Sequence, residues 1–347
     1  MTRTGIAVAG AGLIGRRHIE LIRQSDCCEL AAIVDPVSAA ADLARECGVP
    51  AYRTLAELFA AGPPDAVIAA TPNVLHAQNG IECAQHGVPV LIEKPIADSL
   101  ADAERLIDAA ERARIPLLVG HHRRHSPILA KAREIVRQGR LGRLVAIIGS
   151  ALFYKPDSYF AEGPWRRQPG GGPILINMIH EVDDLRSVCG EIDAVQALSS
   201  RAIRGFAVED TVTVGLRFRN GALGSFILSD TAAAARSWEQ TSRENASYAS
   251  YADEDCYLIS GLDGSLAVPT MRLKTVAGER SWGQPMREEI VAVERADPLA
   301  LQLEHFCAVV RGEASPLVEG RDALRTLRVT LAIAEAARTG RIVATTP

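Results

Sequence analysis

Two stretches of the sequence carry side chains suited to moving a proton. Lys94 ends an apolar run and precedes Pro95, where an ammonium group can hydrogen-bond a substrate hydroxyl and stabilise a developing alkoxide. The Lys94–Pro95 bond is also a candidate cis peptide. His180 lies among polar residues and can accept a proton near neutral pH. Each has a plain structural alternative: an exposed lysine paired with Glu93, and a core histidine bonded to a carboxylate.

The helix that carries His180 is predicted over Pro173–Cys189, because proline suits a first helical position. The helical repeat places four polar residues on or beside one face: Asn177, His180, Asp183 and Asp184. The three glycines at 170–172 would let the backbone come close to another molecule. This stretch is therefore a candidate substrate site, in which Asp183 or Asp184 would set the tautomer of His180.

A glycine motif near the start of the chain indicates a different kind of site. The apolar run Ile6–Ala9 predicts a buried strand, and a helical pattern follows the G-x-G-x-x-G of Gly10, Gly12 and Gly15. In a dinucleotide site the first glycine permits a tight turn, the second lets the backbone approach a pyrophosphate, and the third lets the helix pack on the strand. The preceding strand and following helix raise this motif above a chance match.

An acidic residue stands where such a site needs one. Asp35 ends the apolar run Glu29–Val34, about 20 residues after Gly15, which is the usual distance to the carboxylate that binds the ribose 2′-hydroxyl. A carboxylate would repel a 2′-phosphate, and Pro36 stands where a phosphate-binding arginine would help. The sequence therefore predicts NAD as the cofactor, with NADP less favoured. The alternative is an ordinary tight turn and a helix cap.

Strands and helices alternate over the first third of the chain, which predicts a doubly wound parallel sheet of the Rossmann type. Polar residues cluster at five predicted strand ends, where such sheets bind ligands: Gly10–Gly15, Asp35, Thr71–Asn73, Glu93–Pro95 and His121–His125. We expect residues 1–122 to form the NAD-binding domain. The histidine cluster is interrupted by two arginines, which disfavour a cation, so no metal site is predicted.

Strands dominate after residue 123, joined by turns such as Arg219–Gly221. We predict an α+β domain over residues 123–347 with a large, open, mostly antiparallel sheet, in which Ser265–Leu273 forms one strand. A closing helix at 320–341 is expected to pack back on the first domain. Such a sheet leaves one face bare, and the apolar strands Val212–Phe218 and Leu223–Leu228 predict a homodimer or homotetramer.

The composition excludes several classes of protein. The chain has 347 residues, a net charge of −4 and no basic cluster, so it is not expected to bind nucleic acid. No apolar run is long enough to cross a membrane. The first residues run directly into a strand, without a signal peptide, and seven cysteines occur without a C-x-x-C pair. We therefore expect a cytoplasmic protein with buried thiols.

Together these motifs resemble the Gfo/Idh/MocA oxidoreductases over essentially the whole chain, with Glu93-Lys94-Pro95 the most specific of them. The resemblance implies hydride transfer between a sugar or cyclitol carbinol and nicotinamide. It implies that Lys94 positions substrate and cofactor, that His180 is the general acid/base, and that Asp183 is the associated carboxylate. Substrate contacts are implied at Lys94, His122, Asn177 and His180. Cofactor contacts are implied at Gly10, Gly12, Leu13, Ile14, Gly15, Asp35, Thr71, Pro72, Asn73, His76, Glu93, Lys94, Trp165 and Arg166.

Two positions depart from the family pattern: Ile176 replaces an aspartate usual four residues before the histidine, and His122 replaces a usual asparagine. Both shape the substrate pocket, so substrate identity stays open. A non-catalytic sensor of dinucleotide or sugar on the same fold is one alternative, although a sensor would not need both Lys94 and His180. A dehydrogenase of a dihydrodiol or unsaturated ring is another.

Overall fold

The structure is a computed structural model that describes residues 3–345. It contains two compact units: residues 3–122 together with Pro298–Leu327, and Arg123–Asp297 together with residues 328–345. Residues 298–327 thus belong to the first unit, although the sequence pattern placed them with the second domain. The closing helix begins in the first unit and ends in the second.

The first unit is built on a six-stranded sheet in which every pairing is parallel. The sheet order is β3-β2-β1-β4-β5-β6, which is the Rossmann order and confirms the predicted fold class. The strands are β1 (Thr4–Ala9), β2 (Cys28–Val34), β3 (Ala51–Tyr52), β4 (Ala66–Ala69), β5 (Val90–Glu93) and β6 (Leu117–Gly120). The helices are α1 (Leu13–Gln24), α2 (Ser38–Cys47), α3 (Leu55–Ala61), α4 (His76–Gln85) and α5 (Leu100–Ala113), joined later by α10 (Pro298–Val310).

Three adjacent strands of this sheet are buried along their whole length because both faces are covered, and Glu93 is the one charged residue among them. Every residue of β4, β5 and β6 is buried, as expected where helices cover a parallel sheet. Helix α5 begins after Ser99, whose side chain accepts a hydrogen bond from the backbone N–H of Asp102 at 3.1 Å, as serine commonly does at a helix N-cap.

The second unit contains a nine-stranded sheet of order β14-β13-β12-β11-β7-β10-β9-β8-β15. Only β7 and β10 pair in parallel, which confirms the predicted open, mostly antiparallel sheet. The strands are β7 (Leu144–Leu152), β8 (Ile192–Ser200), β9 (Thr211–Phe218), β10 (Leu223–Ser229), β11 (Tyr257–Gly261), β12 (Gly264–Val268), β13 (Arg272–Val276), β14 (Met286–Ile290) and β15 (Val343–Ala344). The helices are α6 (Pro127–Arg137), α7 (Asp157–Glu162), α8 (Ile179–Cys189), α9 (Trp238–Thr241) and α11 (Gly320–Thr339), the last shared with the first unit.

Two segments differ from the sequence prediction. The single strand expected over Ser265–Leu273 is two strands, β12 and β13, because the chain turns through the cis Val268–Pro269 bond and Met271 at φ +58°. The single helix expected over Pro173–Cys189 is a π-helix at Ile174–Met178 that continues into α8. Between Arg3 and Thr345, no helix is both long and apolar enough to cross a bilayer.

Candidate cofactor and substrate sites

The glycine loop between β1 and α1 has the shape that a dinucleotide requires. Gly10 has φ +94°, and a Cβ there would lie 2.5 Å from the carbonyl oxygen of Ala70. A Cβ at Gly15 would lie 1.9 Å from the carbonyl oxygen of Gly10. A Cβ at Gly12 would meet no atom within 4 Å. Two glycines are thus required by packing, while Gly12 faces open space where a ligand can approach the backbone.

Helix α1 starts directly after Gly12, without a side-chain cap. Its first turn therefore offers backbone N–H groups and the positive end of the helix dipole to an anion. Leu13 and Ile14 supply these groups, and the side chain of Leu13 is 81% exposed. An open loop and an uncapped helix start fit the pyrophosphate of NAD.

Asp35 joins the end of β2 to the glycine loop. One carboxylate oxygen, Oδ2, accepts a hydrogen bond from the backbone N–H of Ala11, and Oδ1 accepts one from Val37, both at 2.8 Å. The residue is only half-buried, so its carboxylate still reaches solvent. Asp35 therefore orders the loop, and its predicted contact with a ribose hydroxyl stays a prediction.

Three exposed apolar side chains follow these strand ends, and only one of them, Leu13, is among the predicted cofactor contacts. Leu13 follows β1, Val37 follows β2 at 61% exposure, and Val74 follows β4 at 67% exposure. Exposed aliphatic groups beside a phosphate-binding loop fit the flat rings of a dinucleotide. The sequence feature that could have identified them is an apolar residue directly after each polar strand end.

His76 connects the loops after β4 and β5 but lies in the interior. Its Nδ1 is 2.7 Å from the carbonyl oxygen of Pro95, and its Nε2 is 2.8 Å from that of Thr71. Burial lowers the pKa of His76. The two carbonyl oxygens favour the protonated ring and oppose this shift, but burial is the larger effect. With 1% exposure, the side chain of His76 holds the two loops together, and the cofactor contact implied at this position stays a prediction.

Glu93 is also an interior residue, and its implied contact with the cofactor stays a prediction. Its Oε1 lies 2.8 Å from Nε2 of His18, and a Cβ on Gly120 would come within 2.9 Å of the carboxyl carbon. Burial raises the pKa of Glu93, but His18, His122 and Lys94 outweigh it, so the pKa lies below its usual value. The half-buried Lys94 follows, and its bond to Pro95 is cis.

Helix α8, which carries His180, has three buried carboxylates held by two consecutive arginines. Asp183 accepts from Nε and Nη2 of Arg124 at 2.6 and 3.0 Å. Arg123 donates to Glu181 at 2.8 Å and to Asp184 at 3.1 Å. Burial raises the pKa of Asp184 to about 8, although the Arg123 guanidinium opposes the shift. The arginines therefore fix α8 in the second unit, a role that is separate from their expected effect of disfavouring a bound cation.

The glycine run before this helix packs against its own chain. A Cβ on Gly171 would lie 2.3 Å from the carbonyl oxygen of Trp165, and one on Gly172 would lie 2.4 Å from Oε1 of Glu209. The expected close approach of another molecule is therefore corrected at these two positions. Trp165 and Arg166 lie on a 3₁₀ turn, where the guanidinium stacks 3.8 Å from the ring centre of Tyr159.

Asn177 has a cationic neighbour that sequence reasoning missed. Nζ of Lys155 donates to Oδ1 of Asn177 at 2.5 Å and lies 3.9 Å from a carboxylate oxygen of Asp230. Lys155 is 6% exposed. It lies three residues after the end of β7 and precedes Pro156, as Lys94 precedes Pro95. A polar residue after an apolar strand was the sequence feature that could have identified Lys155. Because residues 174–178 are π-helical, Asn177 faces Lys155, whereas Asp184 faces Arg123 and Tyr257.

Comparison with known proteins agrees with this geometry. The family model described as an oxidoreductase family with an NAD-binding Rossmann fold matches residues 4–121, and the Gfo/Idh/MocA C-terminal domain matches residues 129–267. Rhizopine catabolism protein MocA of Rhizobium meliloti is 32% identical over 191 residues, which cover 55% of this chain and 59% of that protein. The match thus spans less than two thirds of MocA.

A second relative aligns over more of its length. The 1,5-anhydro-D-fructose reductase of Ensifer adhaerens is 27% identical over 279 residues, which cover 80% of this chain and 78% of that enzyme. Among solved structures, the WlbA dehydrogenase of Bordetella pertussis, in complex with NADH and UDP-GlcNAcA, has a TM-score of 0.80 at 26% identity, over 100% of this chain and 99% of that one. The motifs, the two folds and the two domain matches agree, and the chain belongs to the Gfo/Idh/MocA family of NAD-binding oxidoreductases.

Proposed function

We propose that this protein is an NAD-dependent dehydrogenase that moves a hydride between nicotinamide and a carbinol carbon of a sugar, cyclitol or polyol. The observation that carries the proposal is the row of strand ends in the first unit, where the open glycine loop, Asp35 and Lys94 follow three strands of one parallel sheet. The sugar reductase among the relatives supports the substrate class. Asp35 favours NAD over NADP because its carboxylate would repel a 2′-phosphate.

Two side chains are assigned to proton handling. Lys94 positions the substrate hydroxyl and stabilises the negative charge that develops on its oxygen. His180 takes the hydroxyl proton as the hydride leaves and returns it in the reverse direction. Bound NAD supplies the hydride acceptor. Asp183 lies one helical turn after His180, and its ion pair with Arg124 keeps that part of α8 in one position, so the imidazole is presented reproducibly.

The remaining residues are assigned to binding. Asn177, oriented by Lys155, contacts substrate hydroxyls through its amide, and His122 contacts the same ligand. The cofactor contacts proposed in the first unit are Leu13, Ile14, Thr71, Pro72 and Asn73, and those proposed in the second unit are Trp165 and Arg166. His76 and Glu93 act through the backbones of Pro95 and Lys94, which they hold in place.

The first experiment is a panel of sugars, cyclitols and polyols, incubated with each cofactor while the absorbance of the reduced nicotinamide is followed. We expect turnover with NAD and tighter binding of NAD than of NADP in a fluorescence titration. Binding of NAD and of a sugar without turnover of any panel member would favour a sensor. Turnover of a cyclic dihydrodiol alone would favour the ring dehydrogenase.

Variants then test the two assigned roles on the substrate found. His180→Ala should lower kcat by roughly 10²- to 10⁴-fold with NAD affinity near wild type. Lys94→Ala should lower it at least as much, because positioning is lost together with charge. Lys274→Ala and His86→Ala, both exposed, serve as controls. Unchanged kcat in either test variant would show that its side chain does not take part in the hydride-transfer step.

A further inference from the structure

Three thiols meet in the first unit at a place that the dehydrogenase site does not use. The sulfur atoms of Cys27, Cys28 and Cys307 all lie within 4.8 Å of one another. Cys28 and Cys307 are fully buried, and Cys27 is half-buried. Cys27 and Cys28 lie at the start of β2, whereas Cys307 comes from α10, in the late segment that belongs to the first unit.

We propose that these three cysteines bind one soft, thiophilic metal ion, and that monovalent copper fits the site better than zinc. Thiolate sulfur is the ligand that selects such ions. Zinc takes four ligands in structural sites. Between Arg3 and Thr345, no fourth His, Cys, Asp or Glu has a ligand atom within 4.8 Å of all three sulfurs. Three sulfurs, two of which lie in the apolar core of the first unit, therefore match an ion that three thiolates satisfy.

The surroundings of the three sulfurs suit ligand formation. Each ligating thiol releases its proton to solvent when the ion binds. A neighbouring group that stabilises the thiolate therefore favours metal binding. The hydroxyl of Ser25 lies 3.1 Å from the sulfur of Cys27, where it can donate a hydrogen bond to a thiolate. The half-buried Cys27 gives the ion a way in from solvent.

The site lies at the opposite end of the sheet from the cofactor loops. Cys28 is the first residue of β2, and Asp35 follows the last residue of that strand. Seven residues of strand span about 20 Å. Metal binding is therefore a property separate from hydride transfer, and it can be measured whether or not the proposed dehydrogenase activity is found.

The test is an anaerobic titration of the reduced, full-length protein with Cu(I), buffered by a chromogenic Cu(I) chelator. We expect one equivalent of copper per chain and a thiolate-to-copper charge-transfer absorption in the ultraviolet. Cys28→Ser and Cys307→Ser should each weaken binding at least tenfold. Cys83→Ser removes a buried thiol of the same unit outside the cluster and should bind like wild type.

Because Cys28 and Cys307 are buried, a serine there can also disturb folding, so Cys27→Ser at the half-buried position is the decisive variant. Its circular dichroism should match wild type while its affinity for Cu(I) falls at least tenfold. Failure of the wild-type chain to bind Cu(I), or wild-type affinity in a folded Cys27→Ser chain, would overturn the proposal. Tighter retention of Zn(II) than of Cu(I) would overturn the choice of ion.

Discussion

Replacing Gly12 with alanine should separate cofactor binding from folding. Gly12 has φ −72°, which alanine adopts readily, and a Cβ there meets no atom within 4 Å. The unfolded chain loses some conformational freedom with the same substitution. Gly12→Ala should therefore leave the free energy of unfolding unchanged or raise it by about 0.4–1 kcal/mol.

The added methyl group would occupy the space through which we expect the pyrophosphate to approach the backbone. Loss of one hydrogen bond to a charged phosphate costs about 1.5–3 kcal/mol, which corresponds to a roughly 10- to 150-fold increase in Kd. Gly15→Ala should behave differently, because its Cβ would lie 1.9 Å from the carbonyl oxygen of Gly10. That variant should lose stability and NAD binding together.

Urea unfolding and calorimetric titration with NAD measure the two quantities in the same preparation. Gly278→Ala is a matched control, since a Cβ at this glycine of the second unit also meets nothing within 4 Å. It should bind NAD like wild type. A Gly12→Ala protein that is stable and binds NAD with wild-type affinity would refute the assignment of this space to the pyrophosphate.

Three further predictions concern the second unit. The raised pKa of Asp184, about 8, means that the folded protein holds a proton that the unfolded chain releases near pH 4. The free energy of unfolding should therefore fall as pH rises from about 4 to about 8, and Asp184→Asn should flatten that slope in urea titrations; an equal slope in both proteins would show that Asp184 is not the titrating group. Lys155→Met should raise KM roughly tenfold through the lost charge-assisted bond to Asn177, with kcat little changed, and an unaltered KM would remove Lys155 from the substrate site. The homo-oligomer expected from the bare sheet face should dissociate in an Ile148→Lys variant, since Ile148 is 58% exposed; light scattering that finds wild-type monomer at micromolar concentration would contradict the prediction.

The oligomer prediction also shows where strand patterns mislead. The apolar residues of β9 alternate, so Val212, Val214, Leu216 and Phe218 all face the core, and the outward positions of that strand carry none of them. Exposed apolar residues come from β10, the other strand named in the prediction, and from β7, β8 and β11: Val145, Ile148, Leu198, Leu223, Ile227 and Leu258. A count of apolar residues in one strand therefore does not tell how apolar its exposed face is.

Local patterns in the sequence were enough to determine the two sheets, the glycine loop and the positions of Asp35 and Lys94 at strand ends. Each of these depends on residues close together in the chain: apolar runs, turn residues, and a glycine spacing that the backbone itself requires. The cap at Ser99 is local in the same sense.

Only the tertiary structure decided which polar residues face the interior. His18 reaches Glu93 across 75 positions, Arg124 reaches Asp183 across 59, and Cys307 lies beside Cys28. The sequence displays these residues as isolated polar groups, because it does not show which elements pack together. Burying a charge without a partner costs several kcal/mol, so each such residue could be interior only where the fold brought its partner, and that pairing is a property of the packed molecule.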